Sequence, residues 1–220
     1  MRFLILAVSY KYSGLCVAGL DLDTLEYVRI GYPKGDECDS IPSWEFKCRH
    51  LSGERQLNIL DIIDIDVIKM VNNGCQTENY RLINIKEYLG TATVDDINMI
   101  YGNLIKEEFI FLNHYGYVGV DEIDEVGCSL RFVKVDDFTV SKYTNMKGNQ
   151  RLCASFQYNG KQYKKVRVTD AVFCAYPNCY GNSPKTCIQE QAYIMVSLPY
   201  DNWSIDFGRF YKYVSGIILI

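Results

Sequence analysis

The sequence contains few prolines, no export signal and no long apolar run, and each shortage excludes a class of protein. Only five prolines occur and no low-complexity tract is present, so no disordered linker is expected. No stretch approaches the roughly 18 apolar residues that a membrane-spanning helix needs, so no membrane partner is predicted. The first eight residues are too few for a signal peptide. We therefore expect a cytoplasmic protein.

The usual signatures of catalysis are scarce as well. The chain has only two histidines, His50 and His114, and neither has Cys, Ser or Asp at a suggestive spacing. No glycine-rich phosphate loop is present. Asp64 and Asp66 alternate with apolar residues, which is typical of the solvent face of a strand. The chain is not expected to be an enzyme and no cofactor is predicted. A metal-dependent nuclease, with carboxylates gathered from separate elements, is the distant alternative.

Net charge and cysteine usage limit the partners further. A net charge of −4 argues against a broadly basic nucleic-acid surface and leaves a local basic groove open. Nine cysteines, an odd number, favour a reducing compartment. Cys174, Cys179 and Cys187 cluster, but four and seven residues separate them and no histidine lies nearby. Structural zinc sites use shorter spacings, so no metal is predicted.

The residues that are abundant favour strands. Eighteen Tyr and ten Phe, with frequent Ile and Val, are typical of pleated, half-buried strands. Strands are predicted over residues 3–8, 15–22, 26–30, 60–71, 129–135, 152–158, 163–168, 192–198 and 211–220. Residues 33–56 are expected to form a loop with at most a short helix. Because both ends of the chain are apolar strand patterns, we expect one complete folded unit.

Three local signals refine this assignment. Asn159-Gly160 between two alternating segments predicts a hairpin with a two-residue turn. The apolar phase in 60–71 slips at Val67 and Ile68, which predicts a β-bulge. Residues 94–106 form the one convincing helix, with Thr93 as N-cap and apolar side chains on one face. We predict an all-β protein with one or two short helices, folded as two small barrels or sandwiches that divide near residue 120.

Four segments resemble a known family. They are Ser-Tyr-Lys-Tyr-Ser-Gly-Leu-Cys-Val-Ala-Gly at 9–19 with Arg29, Thr-Glu-Asn-Tyr at 77–80, Val-Thr-Asp at 168–170, and Val-Ser-Leu at 196–198 followed by Tyr-Lys-Tyr-Val-Ser-Gly-Ile-Ile at 211–218. In this order they resemble the dual OB-fold domain of bacterial and phage proteins. The departures are Ser215, where the family often has Ala, and a longer loop at 174–187. The resemblance implies two OB-like barrels, 1–120 with the connecting helix 94–106, and 121–220.

The resemblance also implies a function. It favours a non-catalytic binding module that recognises nucleic acid or a nucleotide-type ligand, in a prokaryotic defence or conflict system. The alternative is a protein-interaction adaptor that has a protein partner and no nucleic-acid site. Fold alone does not decide between these two functions.

Three candidate ligand-binding residues lie in the first half. Lys11 lies beside a glycine-bearing turn, where a lysine can meet a phosphate or simply be solvated. Arg29, between Val28 and Ile30, is either a charge on the outer face of its strand or the floor of a groove. Asn79 precedes a strand, where its amide could read a base edge or cap a turn.

The other candidates lie in the second half. Asp170 ends a strand and is either a ligand contact or a turn or helix cap. Tyr211, Lys212 and Tyr213 alternate aromatic and basic side chains, as single-strand stacking surfaces do. The alternation places Lys212 on the face opposite the two tyrosines. In an OB-like barrel the turn at Lys11 and the strand at Tyr211 and Lys212 could lie together.

Overall fold

A computed structural model describes residues 1–11, 14–34, 37–50, 53–71, 74–144, 148–175 and 185–220. The first half supplies β1 (Arg2–Lys11), β2 (Gly14–Asp21), β3 (Tyr27–Lys34), β4 (Glu37–Asp39), β5 (Lys47–His50), β6 (Gly53–Gln56), β7 (Asp61–Lys69) and β8 (Asn79–Thr91). The connecting segment holds α1 (Val94–Asn103), β9 (Tyr117–Gly119) and a 3₁₀ turn, Ile123–Glu125. The second half supplies β10 (Leu130–Thr144), β11 (Gln150–Tyr158), β12 (Lys161–Val168), α2 (Ala171–Ala175), β13 (Lys185–Ser197), α3 (Asn202–Phe207), β14 (Arg209–Tyr211) and β15 (Tyr213–Leu219).

Each half forms a ring of five strands with the same order. In the first ring the order is β2-β1-β7-β8-β3, and a pairing between β2 and β3 joins its ends. The second ring is a closed barrel with the order β10-β11-β12-β15-β13. In each ring the third strand pairs in parallel with the fifth, β3 with β8 and β12 with β15, and the other pairings are antiparallel. The predicted all-β fold is therefore confirmed.

Local sequence signals explain how the rings close. Asn159 and Gly160 have φ of 48° and 72° and form the predicted two-residue turn between β11 and β12. The β7–β8 ladder has three irregularities, the last opposite Asp66 and Val67. The extra residue lies on β8 each time, so the bulge expected in β7 at Val67 and Ile68 belongs to the partner strand. Bulges increase strand bending and so favour a small barrel.

The helix and the first long loop differ from expectation. Thr93 caps α1 through a complete capping box with Asp96, as predicted, but the helix ends at Asn103. Ile105, which lies within the predicted range 94–106, is therefore outside the helix and exposed. The described residues within 33–56 include the end of β3 and the short strands β4, β5 and β6, where a loop was expected. A hairpin of β5 and β6 pairs outside the rings, where polar side chains are tolerated.

A shared core joins the two rings. Leu6 and Ala7 of β1 pack with Phe132, Met195 and other buried residues of the second ring. Gly216 of β15 lies so close to β1 that an added Cβ would come 2.0 Å from the Leu6 carbonyl oxygen. A side chain at this position would force the rings apart. The division near residue 120 remains a prediction, and it falls in the segment that connects the rings.

Candidate functional site

Arg29 is buried between the two rings. Its side chain leaves β3 on the outer face, opposite Val28 and Ile30, and only 7% of the residue is exposed. Its guanidinium donates to Glu78 Oε1 at 3.1 Å and to Ser129 Oγ at 2.7 Å. The outer face of β3 is thus covered by the start of the second ring. Arg29 is not a solvated charge; it belongs to a buried ion pair.

Glu78 is the central acceptor of the buried polar cluster that it forms with Arg29 and Ser129. It accepts hydrogen bonds from the Ser129 hydroxyl and from the Ser129 amide, which lies 3.2 Å from Oε2. Burial by itself would raise the pKa of the Glu78 carboxyl, but the charge of Arg29 and the hydrogen bonds of Ser129 outweigh it. That pKa therefore lies below its usual value. The carboxylate and the guanidinium neutralise each other inside the protein.

Asn79 is also inside the fold, where it is 1% exposed and pairs with Arg29 across β8 and β3. Its Nδ2 donates to Gln76 Oε1 at 3.4 Å, and its Oδ1 has no hydrogen-bond partner among the described residues. Because the side-chain amide of Asn79 does not face solvent, it is not positioned to contact a base at the protein surface.

Asp170 caps a helix, one of the two roles expected for it. Its Oδ1 accepts from the Phe173 amide of α2 at 3.0 Å, and its Oδ2 accepts from the Ile217 amide of β15 at 3.0 Å. The residue is 1% exposed and forms a bridge with Ser9 of β1. Burial raises the pKa of Asp170 to about 6, although the backbone amides that it accepts from oppose the increase.

The side chains of Lys212 and Tyr211 point to opposite sides of the chain, as the alternation predicted. Lys212 is 2% exposed, and its Nζ donates to the backbone oxygen and to Oδ1 of Asn113 at 2.6 and 2.9 Å. Burial lowers the pKa of Lys212 to about 7, against the charge of Glu122. Tyr211 is half-buried, with its ring centroid 6.0 Å from that of Tyr117. Lys212 therefore fixes a loop and does not point to solvent.

The backbone of Lys11 pairs with Gly14 at the end of β1, and its side chain lies outside what the structure describes. The preceding residue, Tyr10, is 55% exposed, and its amide donates to the Thr169 carbonyl. Thr169 in turn donates its amide to Val214. The turn at Lys11 thus approaches β12 and β15, although the side chain of Lys212 is directed to Asn113.

A basic pocket of about 200 Å³ opens beside Tyr10. It is lined by Tyr10, Lys142, Gln150, Arg151, Leu152, Arg167, Val168, Thr169 and Cys174. Three of these side chains are cationic and none is a carboxylate. Arg151 and Arg167 are exposed, and within the described ranges no salt bridge joins either to an acidic residue. The pocket is therefore suited to an anion.

The β11–β12 hairpin places these arginines together. Arg167 pairs with Cys153, two residues from Arg151, so both arginines leave the outer face of the barrel. None of Lys142, Arg151 and Arg167 is among the candidate ligand-binding residues named from the sequence. A signal existed for Arg167 alone, in the segment Lys-Gln-Tyr-Lys-Lys-Val-Arg at 161–167, where four of seven residues are cationic.

Two larger pockets, of about 390 and 600 Å³, mix acidic and basic side chains. The first lies beside Glu78 and Arg131, and the second beside Glu45 and Lys47. Opposite charges that are already close neutralise each other, so neither pocket favours a highly charged ligand. The basic pocket is the stronger candidate for an anionic one.

Two further observations concern metal binding and membrane-spanning helices. Among the residues that the structure describes, no three His, Cys, Asp or Glu side chains are gathered to hold a metal. Cys174 is half-buried and its thiol pKa is raised by burial, whereas Cys179 and the side chain of Cys187 lie outside the described residues. No described helix has the length and apolar character required to cross a bilayer.

Two five-stranded rings of this order, with an anion-suited pocket on the outer face of one, define a tandem OB-type protein. The family model of the dual OB-containing domain matches residues 1–217. The chain belongs to this family, and the resemblance found in its motifs is confirmed. A search of curated proteins and a search of solved structures each found no match.

Proposed function

We propose that this chain is a non-catalytic module that binds nucleic acid or a nucleotide-type ligand at the basic pocket. The observation that carries the proposal is the presence of Arg151 and Arg167 on one open surface without a carboxylate in its lining. Arginine binds phosphate oxygens through charge-assisted, often bidentate hydrogen bonds. The setting implied by the resemblance, a prokaryotic defence or conflict system, is part of this proposal.

The position of the pocket supports the same ligand class. OB barrels commonly bind oligonucleotides on the face of their second and third strands and on the loop between the first and second. In the second barrel these strands are β11 and β12, which supply Arg151 and Arg167. The exposed ring of Tyr10 adds an aromatic surface at the rim. The thiol of Cys174, whose pKa burial raises, is poorly suited to act as a nucleophile.

Replacement of Arg151 or Arg167 by alanine should weaken binding by roughly 10- to 100-fold, the equivalent of one charge-assisted hydrogen bond. The affinity would be measured by fluorescence anisotropy with labelled single-stranded and duplex DNA and RNA, and by competition with nucleotides. Both measurements would be made at about 50 and about 200 mM salt. Each substitution should also make the dependence of the association constant on salt less steep. The slope of the log of this constant against the log of the salt concentration should become less negative by about one.

Arg81→Ala is the matched control, because Arg81 is an exposed arginine on β8 of the other ring. It should change neither the affinity nor the salt slope. If Arg151→Ala and Arg167→Ala behave like Arg81→Ala in a protein that does bind, the ligand site lies elsewhere. If the wild type binds none of these probes at low salt, the protein-interaction adaptor becomes the better explanation.

A further inference from the structure

A row of aromatic rings lies on the connecting segment and on β14, outside the strands of both barrels. It consists of Phe109, His114, Tyr115, Tyr117 and Tyr211, which we call the aromatic stripe. Successive ring centroids are 6.3, 4.6, 6.4 and 6.0 Å apart. The stripe is formed by the segment before β9, by β9 and by β14, which pairs with β9.

The stripe is accessible to solvent. Tyr115 is 58% exposed, His114 is exposed, and the remaining three rings are partly exposed. Apolar rings normally become covered when a core is available, and the core of the second barrel lies directly below them. Five accessible rings in continuous contact form a surface on which flat groups can stack.

The segment that carries the stripe is held in place from below. Buried Lys212 donates its Nζ to the backbone oxygen and Oδ1 of Asn113, and its amide to the Gly116 carbonyl. These bonds fix the chain on both sides of His114 and Tyr115. The amide of Tyr115 also donates to Asn113 Oδ1 at 3.0 Å. A surface that is already ordered loses little entropy when it binds a ligand.

Cations flank the stripe and connect it to the basic pocket. Lys161 lies 5.7 Å from the ring centroid of Phe109, and the guanidinium of Arg209 lies 4.8 Å from that of Tyr117. At the other end, Tyr211 is followed two residues later by Tyr213, whose ring is 5.4 Å from the guanidinium of Arg167. Arg167 lines the basic pocket.

We propose that the aromatic stripe stacks the bases of a single-stranded nucleic acid whose phosphates enter the basic pocket. This inference rests on the proposed function, and it deepens that function by naming the strandedness of the ligand. Stacking needs exposed base faces, which a duplex hides and a single strand presents. Lys161 and Arg209 place positive charge beside two of the five rings, where phosphates of a stacked strand would pass.

The test compares a thymidine dinucleotide with a single strand of about 15 nucleotides, long enough to pass beyond one OB barrel. Tyr115→Leu and Tyr117→Leu should each weaken binding of the long strand roughly tenfold, the loss of one base–aromatic stack. Both should leave dinucleotide binding unchanged. The salt slope should also stay the same, because these side chains carry no charge. Tyr115→Phe keeps the ring and should retain wild-type affinity.

Trp44→Leu is the control for the loss of an exposed aromatic residue, since Trp44 is 67% exposed in the first half of the chain. Far-UV circular dichroism and urea unfolding would show that each variant is folded. If both Tyr→Leu variants bind the long strand like the wild type while Arg167→Ala does not, the stripe is not used and the proposed function stands. A duplex that binds as tightly as the single strand also overturns the inference. If no probe binds the wild type, the proposed function itself is wrong.

Discussion

Replacement of Glu78 by glutamine is expected to lower the free energy of unfolding by about 3–5 kcal/mol, the cost of leaving one partner of a buried ion pair alone. The glutamine keeps the shape of the side chain but removes the carboxylate charge that faces the guanidinium of Arg29, a residue that is 7% exposed. Urea unfolding followed by circular dichroism would measure the loss. Because the pKa of Glu78 lies below its usual value of 4.5, its contribution is present at neutral pH and is lost as the pH falls below about 4.5.

An exposed ion pair provides the control. Arg2 and Asp23 are joined at the surface, with more than half of each side chain accessible to solvent. Asp23→Asn should therefore cost far less stability than Glu78→Gln. The double variant Arg29→Met with Glu78→Leu should lose less stability than the sum of the single replacements, because no charge remains buried. Equal costs for Glu78→Gln and Asp23→Asn would show that this ion pair does not stabilise the fold.

The location of this ion pair explains why a family motif need not mark a ligand site. Glu78 immediately precedes β8, which begins at Asn79, and Arg29 lies beside Asn79 in β3. Ser129 immediately precedes β10 of the second ring. Gly216, which comes from the closing motif, allows β15 to approach β1. These motif residues therefore hold the two rings together. The basic pocket uses Arg151 and Arg167 instead, which are outside the four motif segments.

The fold could be predicted from the sequence because its signals are local. Alternation of apolar residues, the turn at Asn159 and Gly160 and the cap at Thr93 each act within a few neighbouring residues. A strand after Asn79 was expected, but its bounds were not, because the polar and apolar residues of β8 alternate irregularly. Its three bulges account for this irregularity, since each bulge shifts the phase of the pattern.

The candidate site was harder to predict because the groups that cover a side chain lie far away in the sequence. Arg29 leaves β3 on its outer face, where a single barrel would expose it. Lys212 lies between β14 and β15, on the side that alternation gives to the core residues Phe210 and Val214, and its side chain reaches the loop at Asn113. The oxygen that covers Arg29 belongs to Ser129, 100 residues away, and the oxygens that hold Lys212 belong to Asn113, 99 residues away. The residues next to Arg29 and Lys212 in the sequence give no signal of these distant partners.

Replacement of Asp170 by alanine is expected to lower the free energy of unfolding by about 2–4 kcal/mol at about pH 5. The change removes the cap of α2 and the carboxyl that accepts from the buried amides of Phe173 and Ile217. Asp170→Asn should cost less, because its one remaining side-chain oxygen can still accept from one of the two amides. Urea unfolding of the three proteins under the same conditions would measure both differences.

The pH dependence of this effect follows from the pKa of Asp170. Burial raises that pKa to about 6, whereas the usual value is 3.8, so the folded protein binds more protons at this carboxyl than the unfolded chain. The stability that Asp170 supplies should therefore fall as the pH rises. Between about pH 5 and about pH 7 the cost of Asp170→Ala should shrink by roughly 1 kcal/mol. The other titrating groups contribute equally to the wild type and to Asp170→Ala, so the difference in their unfolding free energies at each pH reports on Asp170. A cost that grows over this pH range would show that the carboxylate form is the favoured one, held by the two amides against its burial.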